Sequence, residues 1–346
     1  MIIPATLESC RKFQSQRFNF SIVEAGHVQA HGRCKRSKRA WLATTVSEDA
    51  EAEIFTTFQW NQYILHLAFV VWDPRPELFP YVLPLLGRQI FWYGALFALG
   101  FLLGYFVLLS LLRFFDTFSK KERKAIAEKV AVYVIIGTLL GAHLGDILFY
   151  QSWQRILEEP LSLIKEWGRG LASHGGAVGI LCALGLLSHR FKKKYPLLTW
   201  RRLIDLLAPP TALAGGFIRI GNFFNQEILG KPTDLPWAVL FLHPADGGAI
   251  VPRHPVQLYE SLYYFALFFL LYFLWKYFPK FRVEGKSGGL FFLAVFSFRF
   301  LIEYLKVEQS VHIAPGSPLT MGQYLSLPFI LLGLWLFFSN RYTQTT

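Results

Sequence analysis

The sequence predicts an all-α polytopic membrane protein with about seven transmembrane helices and a small region on the outer side. Three observations carry this. Apolar residues gather in runs of about 18 residues or more, the length a helix needs to cross ~30 Å of hydrocarbon. The chain is 53% hydrophobic and 17% aromatic, with mean hydropathy +0.35, above the ~45–50% apolar content of ordinary soluble domains. Basic residues cluster between the apolar runs.

The spans fall near residues 89–113, 130–150, 173–189, 201–220, 256–276, 288–306 and 322–340. The glycine-rich run from Gly137 to Gly145 suggests close helix packing in the second. Loop charge orients the bundle. The first connection carries Lys120, Lys121, Arg123, Lys124 and Lys129. The third carries Arg190, Lys192, Lys193 and Lys194, flanked by Arg201 and Arg202. The fifth carries Lys276, Lys280, Arg282 and Lys286. Even connections are poorer in basic residues, and the one between Val307 and Thr320 has none. Odd connections therefore face the cytoplasm, with the N-terminus outside and the C-terminus inside. The net charge of +12 then reflects loops beside anionic membrane lipid, and no nucleic-acid partner is expected.

Residues 1–64 read as a polar N-terminal extension, disordered or not native to the protein, ahead of a transmembrane domain at 65–341. The basic tail Arg33, Lys35, Arg36, Lys38 and Arg39 would lie outside, against the charge rule. Either that tail is not made, or Ile54–Trp72 is an eighth span. By itself Ile54–Trp72 reads as interfacial or irregular, and Asp73-Pro74-Arg75-Pro76 ends any helix there. Cys10, Cys34 and Cys182 form no disulfide or metal pattern. No glycine-rich nucleotide loop appears, so neither metal nor cofactor is expected.

Function is read from polar residues at membrane depth, where charge is costly and marks a cavity or a site. Arg219 ends the fourth span, followed by Asn222, Asn225 and Glu227. Asn222 lies at i+3 and shares its face. Glu227 is placed to pair with an arginine. Arg299 and Glu303 share a face of the sixth span at i and i+4. They make either a tolerated intrahelical pair or a second anion site. Guanidinium forks suit phosphate. His174, before Gly175-Gly176, is either structural or a proton acceptor. Tyr93 is an interfacial aromatic or a head-group contact. Asp205 precedes Pro209-Pro210 and could counter Arg201 or Arg202. His254-Pro255 opens the fifth span, with Gln257 and Glu260 on one face. All of these except Asp205 converge on the outer half of the membrane.

The stretch Arg219-Ile220-Gly221-Asn222-Phe223-Phe224-Asn225-Gln226-Glu227-Ile228-Leu229-Gly230 resembles the signature of bacterial prolipoprotein diacylglyceryl transferases. The likeness extends to Trp92-Tyr93-Gly94, His174-Gly175-Gly176, Asp205, His254-Pro255 with Gln257-Leu258-Tyr259, Arg299 with Glu303, and Met321-Gly322-Gln323. One departure stands out. Some family members carry a tyrosine one turn before the arginine of the sixth span, and here that position is Val295.

The resemblance implies a multi-pass enzyme of the bacterial inner membrane. It would move the diacylglyceryl group of phosphatidylglycerol to the lipobox cysteine thiol of a prolipoprotein signal peptide, releasing glycerol 1-phosphate. Arg219 and Arg299 would hold the phosphate and stabilise the leaving group. Glu227 and Glu303 would orient them, and Asn222 and Tyr93 would contact the head group. His174 would handle the thiol proton or only shape the site. Asp205, Asn225, Gly221, Gly230 and Gln257 would be supporting. The alternative is an anion or lipid transporter using the same arginines, which the absence of an internal repeat disfavours.

Overall fold

A computed structural model describes residues 70–79, 89–149, 172–308 and 317–339. Seven α-helices follow the predicted spans. They are α1 (Trp92–Leu112), α2 (Lys120–Phe149), α3 (Ser173–Phe191), α4 (Trp200–Phe224), α5 (Val256–Tyr277), α6 (Lys286–Ile302) and α7 (Met321–Phe338). Among the described residues six are long and apolar enough to cross a membrane; α3 is not among them. His174 at one end and Ser188-His189-Arg190 at the other dilute it. The proposed domain boundary near residue 64, and residues 54–69 of the interfacial segment, lie outside the described residues.

The largest boundary difference is in α2, which begins about ten residues earlier than expected, at Lys120. Ser119 and Glu122 explain the start. The Glu122 carboxylate accepts from the Ser119 backbone N–H at 3.0 Å, and the Ser119 hydroxyl accepts from Glu122 N–H at 3.3 Å. This is a capping box, and it holds a lysine-rich turn in helical form before the apolar stretch begins.

Helix α4 is the hub. Of its membrane-length window, 61% is buried inside the protein, against 28–39% for the other five spans. Thr199 caps its start by accepting from Arg202 N–H. The main apolar core gathers Leu111, Leu112, Ile126, Leu187, Leu203 and Trp275. These residues sit where α1, α3 and α5 finish and α2 and α4 begin. Helices α2 and α3 approach closely: a Cβ on Gly141 would stand 2.4 Å from the Gly175 carbonyl oxygen, and one on Gly179 2.1 Å from that of Gly137. Small residues permit that approach where apolar burial offers no gain over lipid. Large apolar side chains such as Leu262, Phe269 and Leu331 point outward, as lipid-facing positions would.

A three-stranded sheet adds to the all-α expectation. Strand β1 (Val70–Trp72) pairs in parallel with β2 (Val239–Phe241), which pairs antiparallel with β3 (Pro252–Arg253). Trp72 lies 4.3 Å from Phe223 and 5.4 Å from Phe224, ring to ring. Its indole N–H donates to the Phe223 carbonyl at 2.9 Å. The sheet is thereby fastened to the end of α4 that carries Arg219.

Candidate active site

Helix α4 delivers Arg219 and Asn222 one turn apart on one face. The Arg219 guanidinium donates to Asn222 Oδ1 at 2.8 Å, and Asn222 Nδ2 donates to Glu227 Oε1 at 2.7 Å. Asn225 Nδ2 reaches the same oxygen at 3.3 Å. Among the described residues Glu227 makes no ion pair with Arg219; it acts on the arginine through Asn222. This corrects the expectation of a direct pair. After α4 the backbone turns sharply, with Gln226 at φ 50° and Ile228 at φ 57°. A β-branched residue in the left-handed region is strained, and such strain persists where neighbours over-determine it. Three bonds do so here. Glu227 N–H donates to Asn222 O at 3.1 Å and Ala245 N–H to Gln226 O at 3.0 Å. Gln257 Nε2 donates to Glu227 O at 2.7 Å.

The direct partner of Arg219 is Glu260 on α5, at 3.0 Å from Nε. Glu260 is fully buried and also lies 2.9 Å from Lys306 Nζ and 4.0 Å from Arg299. Glu303 pairs with Arg299 at 3.7 Å, as i,i+4 spacing predicts, and with Lys306 at 3.2 Å. Three cations and two carboxylates thus form one buried network, and each carboxylate serves more than one cation. Lys306 is held by backbone pairing of its segment with Gly230. Sequence reasoning missed Lys306 and left Glu260 without a partner. The i,i+3 spacing of Glu303 and Lys306 was the available signal.

Two glycines of the signature have steric reasons. A Cβ on Gly221 would meet Tyr93 Cδ2 at 2.9 Å, and one on Gly230 would meet the His254 carbonyl oxygen at 2.4 Å. Gly221 lets Tyr93 lie against α4, and Gly230 lets the loop pass over the start of α5.

A cavity of about 420 Å³ opens from this network. Its polar end is lined by Tyr93, Arg219, Asn222, Tyr264, Arg299 and Glu303. Its depth is lined by apolar residues including Phe97, Leu108, Leu184 and Ile204. Ile204 and Arg219 are ~22 Å apart along α4 at ~1.5 Å per residue. One end suits an anion and the rest suits hydrocarbon.

His174 is buried, with neither ring nitrogen hydrogen-bonded among the described residues. Its ring packs against Phe296 and Phe329 at 6.0 and 6.2 Å, and it does not line the cavity. Asp205 sits at the other end of α4. It accepts from the N–H groups of Gly285 and Gly288 at 2.7 and 2.8 Å, capping the start of α6. Among the described residues no ion pair within 4 Å joins it to Arg201 or Arg202; its direct partners are these two N–H groups.

The comparisons with known proteins agree with this geometry. The family model described as prolipoprotein diacylglyceryl transferase matches residues 80–339. A phosphatidylglycerol–prolipoprotein diacylglyceryl transferase of Protochlamydia amoebophila is 33% identical, over 80% of this chain and 96% of its own. Those of Tolumonas auensis and Porphyromonas gingivalis are 42% and 40% identical, over 74% and 78% of this chain and 93% and 94% of theirs. The match spans the helices that carry Arg219, Glu260 and Arg299, and on that evidence the chain belongs to the prolipoprotein diacylglyceryl transferase family.

Proposed function

We propose that this multi-pass membrane enzyme transfers the diacylglyceryl group of phosphatidylglycerol to the lipobox cysteine thiol of prolipoproteins, the first step of bacterial lipoprotein maturation. The observation that carries the reading is the two-part cavity, with two arginines at a polar end and ~22 Å of apolar wall beyond it. It matches a phospholipid in shape and polarity. The phosphate lies between Arg219 and Arg299, and the acyl chains lie along Phe97, Leu108 and Leu184. The transporter alternative has no support in the family match.

In the reaction the thiolate sulfur bonds to the glycerol carbon that carries the phosphate oxygen. That carbon–oxygen bond breaks, and its electron pair leaves on glycerol 1-phosphate. Phosphate charge grows in the transition state, so cations fixed beforehand lower the barrier. Glu260 and Glu303 fix them, and Glu227 does so through Asn222. Tyr93 borders the head group. The thiol, with an ordinary pKa of ~8.5, must lose its proton to attack. His174 has an unbonded ring nitrogen to accept it, beside Phe296, which lines the cavity. Catalytic bonds often close only around substrate. By the distribution of loop charge the site faces the outer side of the bacterial inner membrane.

The test is complementation. A bacterium depleted of its own transferase would receive this chain, from Met1 and separately from about residue 65. Lipid-labelled prolipoprotein in its membranes is the expected result. Correctly inserted protein with no thioether-linked lipid would contradict the proposal.

A further inference from the structure

The transfer reaction explains the polar end of the cavity but not its depth. Tyr93 to Leu108 on α1 and Arg219 to Ile204 on α4 each run ~22 Å at ~1.5 Å per residue, and all four residues line the cavity. The lining stops at one level on four helices. Leu108, Val130, Leu184 and Ile204 are the innermost lining residues of α1, α2, α3 and α4, and they are only 1–4% exposed. One turn further in, Leu111, Ile126 and Leu187 are 0–1% exposed and belong to the same packed core. The cavity therefore has a closed apolar floor.

A closed floor matters to a lipid chain for a physical reason. A chain that moves from bilayer to cavity passes between two equally apolar media, so burial by itself adds no selectivity. What remains is fit. A chain too long meets side chains packed like an organic crystal. A chain too short leaves the floor without contacts. An ordinary membrane chain spans half of a ~30 Å hydrocarbon layer, or ~15 Å. Taken from ~22 Å of wall, that leaves ~7 Å at the polar end for phosphate and glycerol.

We propose that the floor is a length gauge: it sets an upper limit on the acyl chains of the phospholipid donor, at about the length of an ordinary membrane chain. The inference rests on the transfer reaction proposed above. Two positions can move the limit in opposite directions. Ala208 lies one turn outward of Ile204 on the same face of α4, is 2% exposed and lines the cavity. A large side chain there raises the floor by one turn, ~6 Å. Leu184 is part of the floor, and truncating it deepens the cavity.

The test uses purified full-length protein in mixed detergent micelles, where bilayer thickness cannot vary. The donors are dilauroyl, dipalmitoyl and diarachidoyl phosphatidylglycerol, and the acceptor is a prolipoprotein peptide. A methylene that does not fit a closed apolar pocket costs ~10–200-fold in kcat/KM. Wild type should therefore use the diarachidoyl donor at least ~10-fold less well than the dipalmitoyl one. Ala208→Phe should lower the ratio of dipalmitoyl to dilauroyl transfer by ~10-fold or more. Leu184→Ala should raise the ratio of diarachidoyl to dipalmitoyl transfer toward one. A general loss of packing lowers all donors alike and leaves these ratios where they were. Since the two variants act in opposite directions, either one decides if the other fails to fold. Ratios unchanged from wild type in the folded variants would overturn the proposal. So would a wild type that uses all three donors equally. A wild-type chain inactive on every donor would instead count against the reaction itself.

Discussion

The two ends of α4 both bury charge, and they use it differently. At the start of the helix the hydrogen bonds of the buried charges go mainly to backbone, with one ion pair beside them, Arg202 to Glu284 at 3.8 Å. Arg201 donates to the carbonyls of Leu336 and Ser339 at 3.0 and 2.7 Å. Arg202 donates to the Arg282 carbonyl, and Asp205 accepts from Gly285 and Gly288. These bonds complete helix ends that would otherwise leave polar groups unpaired. At the far end Arg219, Arg299, Lys306, Glu260 and Glu303 are paired with one another. Of these, Arg219, Arg299 and Glu303 border a cavity. Burial alone does not separate structural from functional charge. What separates them is whether the remaining hydrogen-bonding capacity points at backbone or at open space.

That contrast can be broken by substitution. Arg219→Ala should have the largest effect on function, reducing transfer to assay background while the protein stays in the membrane; labelled lipid on prolipoprotein measures this. Glu260→Gln should lower activity and stability together. It leaves three buried cations with less counter-charge, and removing one partner of a buried pair costs ~3–5 kcal/mol. A lower detergent unfolding temperature together with reduced transfer would bear this out. Asp205→Ala should cost ~0.5–2 kcal/mol as a lost cap, with transfer per folded molecule unchanged. Arg201→Gln should be milder still, loosening the end of α7 without touching transfer, and limited proteolysis near Ser339 would report it. An Asp205 variant that folds normally but transfers poorly would erase the distinction between the two ends.

The sequence made the helices legible because lipid demands long apolar runs, and the seven predicted segments each became a helix. It marked the Arg219 signature because charge at membrane depth needs a reason. It did not reveal the sheet, whose strands of two or three residues are too short for an alternating pattern. Glu260 was visible, but its pairing with Arg219 joins α5 to α4, and no local spacing encodes such a contact. Lys306 closed the sixth predicted span and drew no role of its own. Its burial comes from the pairing of its segment with Gly230, far away in sequence. Asp205 looked like a counter-ion because Arg201 and Arg202 are its sequence neighbours, whereas its partners are N–H groups near residue 286.

The most direct measurement of the central claim is the rate of diacylglyceryl transfer by purified wild-type chain and its Arg219→Ala variant, reconstituted with phosphatidylglycerol and a prolipoprotein peptide. The account predicts thioether-linked product and glycerol 1-phosphate in equal amounts from the wild type and neither from the variant. A variant that transfers at near wild-type rate would contradict it.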